Sequence, residues 1–244
     1  MKLKKNWPFR FFATLVAAML LFANVAQAGP PLVCHAFEIG NAKSLPLAGH
    51  GWNLSGSENY DTKNLAADTL EILQPDTPVL VRMETLRRAT LYARQDRLAA
   101  KELLAKLYAR ANSAESAGHP DALAWFDAGY LVETYKQWIG QNLPHMTDGM
   151  RLDANPAAGV DGYAWVKKAI ALRGAALHGD DAQMEFAAAL ITLSGPREEH
   201  AQHAQKAIAG AKADPLLGQN LATHFLGPKD TTVSEMLAKD STTN

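Results

Sequence analysis

Three clusters of side chains have the types and spacing to do chemistry. Segment 143–162, LPHMTDGMRLDANPAAGVDG, holds His145, Asp148, Arg151, Asp153 and Asp161 where no helical period runs. An imidazole among carboxylates is equipment for acid–base or metal-assisted hydrolysis, and a long loop in a helical protein is a common home for ligand contacts. Asp153-Ala154-Asn155 begins like a calcium loop, but Pro156 and the missing acidic residue at the twelfth position break that pattern. Cys34-His35 ends like a haem-attachment motif, yet Pro31 stands where the first cysteine would be, so no cofactor is expected. Cys34 is the sole cysteine, which excludes an internal disulfide and leaves a buried thiol or an intermolecular bond. His200 and His203 lie one helical turn apart, with Glu199 four residues before His203. That spacing can share a metal ion, although no H-E-x-x-H motif is present.

The elements that must position these groups are helices. Apolar residues recur at helical spacing over 61–73, 77–94, 96–111, 120–139, 163–177, 180–193, 196–212 and 215–225, and no strand-like alternation competes. The expected fold is all-α, about seven or eight helices in an irregular array of antiparallel hairpins. Thr77-Pro78 reads as an N-cap with proline at the first helical position, and Asp180 with Gln183 as a capping box. In 96–111 the residues Ala99, Leu103, Leu104, Leu107 and Tyr108 are expected inward. Helix 120–139 is apolar nearly all round and belongs at the centre, with Asp127 and Glu133 as candidate buried carboxylates. In Asp161–Gly195 two helices form a hairpin. Tyr163, Val166, Ile170, Gly174 and Leu177 make one stripe, Ala182, Phe186, Ala189, Leu190 and Leu193 another, and Gln183 and Glu185 are left for solvent. Residues 29–60 carry prolines and glycines but also Leu32, Val33, Phe37, Leu45 and Trp52, and are expected to lie extended along the helices.

Ala182, Phe186 and Ala189 resemble the A-x-x-x-F-x-x-A pattern of the second helix in tetratricopeptide repeats. The family's proline would fall at Ser194, whereas this chain has Pro196, and the preceding helix lacks the family's Trp, Leu-Gly and Tyr at the expected spacing. The resemblance implies stacked helical hairpins. Prolines near the helix starts at Pro78, Pro120, Pro196 and Pro215 share no period, so any such array is irregular.

Composition narrows the role. Lys2, Lys4, Lys5 and Arg10 precede the apolar run 11–25 and an Ala26-Gln27-Ala28 cleavage site, the layout of a signal peptide cut after Ala28. The expected organisation is a signal peptide (1–28), an extended segment (29–60), a helical-hairpin domain (61–226) and a polar tail (227–244), in the periplasm or outside the cell. Cleavage removes four basic residues and no acidic one, leaving 20 Lys+Arg against 25 Asp+Glu, a formal charge of −5. A nucleic-acid binder should show a basic face, so none is expected, and no membrane span remains after cleavage. No Gly-x-Ser-x-Gly elbow or phosphate-cradling glycine loop is present. The expected function is a protein- or peptide-binding or scaffolding module. A hydrolase built on the 143–162 loop is the alternative.

Overall fold

Each helix start has a local cause. The computed structural model describes residues 31–48, 56–138, 155–177, 179–193 and 195–224. Eight α-helices and no strand occur among them. They are α1 (Leu65–Ile72), α2 (Val79–Ala93), α3 (Arg97–Ser116), α4 (Ala122–Lys136), α5 (Gly162–Leu177), α6 (Ala182–Ile191), α7 (Arg197–Ala211) and α8 (Pro215–His224), with a short 3-10 turn at Thr62–Asn64 before α1. The protein is all-α, as the periodicity indicates. Asp96, Asp121 and Asp181 cap α3, α4 and α6, each accepting from two backbone N–H groups, and Asp214 accepts from Leu217 N at the start of α8.

Several boundaries differ from expectation. The α6 cap is Asp181, not Asp180, whose carboxylate instead accepts from Lys206. Thr77 does not cap α2. Its hydroxyl donates to Ile72 O and accepts from Gln74 N, closing the turn after α1, and Pro78 takes the N-cap position without a side-chain bond. Helix α3 runs five residues beyond Ala111 and stops at Ala117-Gly118, where Gly118 has φ +80. Only glycine adopts that left-handed conformation without strain.

Two helices share the centre. Helix α4 is buried nearly all round, as its composition demands. Helix α2 is equally enclosed, although Arg82, Glu84 and Arg87 lie on it and are fully buried. Burying charge is tolerable only where each charge is paired and hydrogen-bonded. Arg82 Nη1 donates to Asp127 Oδ2 (2.6 Å), and Arg82 also bonds the carbonyls of Thr77 and Gln74. Glu84 accepts from Arg87 (2.7 Å) and Arg88 (2.6 Å). Burial pushes the Asp127 carboxyl up to about 6, with Arg82 pulling against it.

The Glu84 group also fastens the N-terminal segment. Phe37 N donates to Glu84 Oε2, while Arg87 and Arg88 donate to the carbonyls of Val33 and Leu45. Leu32, Val33, Phe37 and Leu45 are buried, so these described parts of 29–60 lie against the helices. Trp52 lies outside the described residues, as do residues 1–30 and 225–244.

Helices α4 and α5 cross at Gly129 and Gly162. A Cβ on Gly129 would stand 2.6 Å from Gly162 O, and one on Gly162 would stand 2.6 Å from Gly129 O. That glycine pair lets the two backbones touch, and it sets Trp165 of α5 against Trp125 of α4, ring centroids 5.7 Å apart. No helix among the described residues is long and apolar enough to cross a membrane.

Candidate functional site

A groove of about 460 Å³ opens between α3 and the start of α5. Helix α3 supplies Arg97, Lys101, Leu104, Ala105 and Tyr108, which helical spacing puts on one face. Pro156, Val160 and Trp165 form the facing wall. Asn155 fixes that wall: its Oδ1 accepts from Ala157 N and its Nδ2 donates to Tyr135 O at the end of α4. Gly159, at φ +75, turns the chain back, and Asp161 Oδ1 accepts from Ala164 N at the start of α5. Glu133 accepts from Tyr163 N beside it.

The groove is aromatic and positively rimmed. Tyr108 and Trp165 stack at 5.0 Å, and Tyr108 meets Trp125 edge-on at 6.1 Å. Trp125 is buried, and its indole N–H has no acceptor among the described residues. Lys168 lies 4.0 Å from the Trp125 ring and is held there by Glu115. Arg97 and Lys101 are exposed, and no described carboxylate pairs with either. Tyr108 is 41% exposed, which corrects its expected inward placement, and Leu98 beside the rim is 79% exposed. An apolar, aromatic cleft rimmed by two cations that no described carboxylate pairs can hold a ligand that presents apolar surface and negative charge together.

A second cluster joins α5, α6 and α7. Tyr163 OH lies 2.8 Å from Glu199 Oε1 and 2.7 Å from His203 Nε2. His203 Nδ1 bonds Glu185 Oε2, and Glu185 Oε1 accepts from Lys206 (3.0 Å). Lys206 also reaches Asp180, and Lys167 approaches Glu199 at 3.6 Å. Glu185 is fully buried rather than solvent-facing, because α7 covers the side of α6 that the apolar stripe leaves polar. Gln183 is half-buried, accepting from Leu80 N and donating to Asp214. Carboxylate, imidazole and hydroxyl in series is an arrangement that elsewhere activates a nucleophile. Here the hydroxyl is a phenol, and burial together with Glu199 and Glu185 makes it harder to ionise. The chain of bonds ties three helices.

A polar groove of about 440 Å³ lies where α2 and α6 begin. Among its polar groups, Arg173 pairs with Asp181 (3.1 Å) and Gln183 donates to Asp214 (2.6 Å). Leu177, expected in the α5 stripe, stands at its edge, 50% exposed, because α5 runs past its neighbours there.

The residues singled out from sequence are dispersed. Asp161 caps α5 near the aromatic groove but does not line it. His145, Asp148, Arg151 and Asp153 lie outside the described residues. Cys34 is buried against α2, where desolvation pushes the thiol up to about 11 despite the Arg87 charge. It is therefore a protonated thiol at neutral pH, not a nucleophilic thiolate. His35 packs edge-on to His224 of α8 at 5.4 Å. His200 and His203 turn to different partners: His200 Nδ1 bonds Ala189 O (2.9 Å), whereas His203 joins Glu185 and Tyr163. No group of three or more metal-ligating side chains is gathered among the described residues.

Sequence reasoning missed Arg97, Lys101 and Trp165. Trp165 carried a usable signal, since a tryptophan off the Tyr163–Val166–Ile170 stripe must find cover elsewhere or stay exposed. No family model, no curated protein and no solved structure matches the chain.

Proposed function

We propose that this chain is an exported helical binding protein that holds a peptide segment of a partner in the groove between α3 and α5. The observation that carries the reading is the pairing of an apolar, aromatic cleft with rim cations that nothing described neutralises. Its volume lies within the range of about 300–1,000 Å³ common to ligand pockets. The described charge cluster of α5, α6 and α7 is, by contrast, closed upon itself. Export rests on the basic start, apolar run and A-x-A site of residues 1–28.

Defined octapeptides test the binding. The chain from Gly29 onward, titrated into fluorescein-labelled peptides rich in Leu and Trp, should give saturable anisotropy curves. Tyr108→Glu should weaken them at least ten-fold with the fold intact. Curves indifferent to Tyr108→Glu would show that the groove is not the binding place. Export is tested by fractionation: a chain that stays in the cytoplasm with residues 1–28 attached would contradict it.

A further inference from the structure

We propose that the groove selects acidic peptide segments in which carboxylates alternate with apolar side chains. This rests on the peptide-binding reading and names the class of peptide. Arg97 and Lys101 are four residues apart on α3, about 6 Å along the axis at 1.5 Å per residue. Side chains two apart on an extended peptide are spaced by about 6.6 Å and point the same way. An extended segment lying along α3 therefore presents carboxylates at alternate positions to both cations. The intervening side chains point the other way, onto Val160 and Trp165.

The charges support this occupant. Glu102 on α3 is engaged with Lys106, and Glu115 with Lys168, so neither neutralises the rim. The pair is a local positive spot on a chain whose formal charge after residue 28 is −5. Two cations suit a short acidic segment and are too few for the continuous charge of a nucleic acid. Arginine adds a planar fork that matches a carboxylate in two-point geometry. The apolar side chains supply most of the affinity, and the exposed ion pairs supply a preference that salt screens.

Three fluorescein-labelled octapeptides test the proposal, with Leu and Trp alternating with Glu, with Gln or with Lys. The probes are titrated into the chain from Gly29 onward at low and at physiological salt. The Glu peptide should bind about ten-fold tighter than the Gln peptide, the Lys peptide weakest, with the margin shrinking as salt rises. In Arg97→Ala/Lys101→Ala the Glu and Gln peptides should bind within two-fold of each other. Both substituted side chains are exposed and no described carboxylate pairs with either, so the melting curve should be unchanged. Equal binding of all three peptides overturns the acidic preference and leaves peptide binding standing. A Glu preference that survives the double substitution also overturns the proposal, by placing the selectivity elsewhere. Binding of none of the three by protein with an intact melting curve is the failure of the peptide-binding reading itself.

Discussion

The α5–α6–α7 network and the α3–α5 groove share helix α5 but treat charge in opposite ways. In the network Glu185, His203, Tyr163, Glu199 and Lys206 bond one another, and the carboxylate at its heart is fully buried. In the groove Arg97 and Lys101 stand beside exposed aromatic surface with no described carboxylate on either. The network has the richer set of reactive groups, yet its hydrogen bonds run inward and join helices. Unused bonding capacity next to apolar surface, rather than a density of titratable residues, marks the place where another molecule can gain free energy.

The contrast can be broken at its strongest points first. Phe186 is fully buried on the apolar back of the network, edge-on to Phe37 at 6.1 Å. Phe186→Asp should cost about 5 kcal/mol, the sum of a lost core ring and an unpaired buried charge. Urea unfolding measures it, and unchanged stability would mean that Phe186 faces away from the core. Gly129→Ala should cost about 3 kcal/mol, because its Cβ meets the backbone of α5. The same substitution should weaken peptide binding, since the Gly129–Gly162 crossing sets Trp165. Full binding by the variant would remove that link.

Two buried titratable groups sharpen the paired side. Burial lowers His224 from 6.5 to about 4, against the opposing pull of its bond to Asn220 O. Between those values the unfolded chain holds the proton and the folded chain does not, so this group adds stability as pH rises through the window. Asp127 is raised from 3.8 to about 6, chiefly by burial. Here the folded chain holds the proton longer, so this group removes stability as pH rises from about 4 to 6. The two groups act with opposite sign. Relative to the parent, His224→Gln should lose stability on going from pH 4.5 to 6.5, and Asp127→Asn should gain it. Unfolding curves at the two pH values decide, and equal slopes in both variants would refute the assignment.

Smaller effects separate the two regions directly. His203→Ala removes one of the two partners of the buried Glu185 and should cost about 2 kcal/mol, Lys206 remaining in place. Peptide affinity should stay as in the parent, and a loss of affinity would show that the network and the groove are one site. Arg97→Ala/Lys101→Ala should leave stability within about 0.5 kcal/mol while abolishing the preference for Glu peptides.

Much of the scaffold was readable from periodicity. The eight helices, the enclosure of α4 and the inward face of Phe186 follow from apolar spacing. Periodicity reports which side of a helix is apolar, not whether a neighbour covers the polar side. Glu185 was therefore expected in solvent, and the charged interior of α2 was not foreseen. Its partners explain why: Asp127 is 45 residues from Arg82, and Tyr163 is 40 from His203. The i,i+4 relation of Glu199 and His203 was visible, but their meeting point on Tyr163 was not. The spacing of Tyr108 from Leu104 matches the core stripe and predicts an inward side chain. It instead lines the groove between α3 and α5, stacked on Trp165 and half open.

The most direct measurement is of the tryptophan indole N–H signals during titration with the Glu-alternating octapeptide. The chain from Gly29 onward retains Trp52, Trp125, Trp138 and Trp165. Trp165 lines the groove, Trp125 lies against it, and Trp138 is buried next to Arg94 instead. Saturable shifts are expected at Trp165 and Trp125 with Trp138 unmoved, and a loss of those shifts in Tyr108→Glu. Saturable binding that moves Trp138 and leaves Trp165 and Trp125 in place would contradict it.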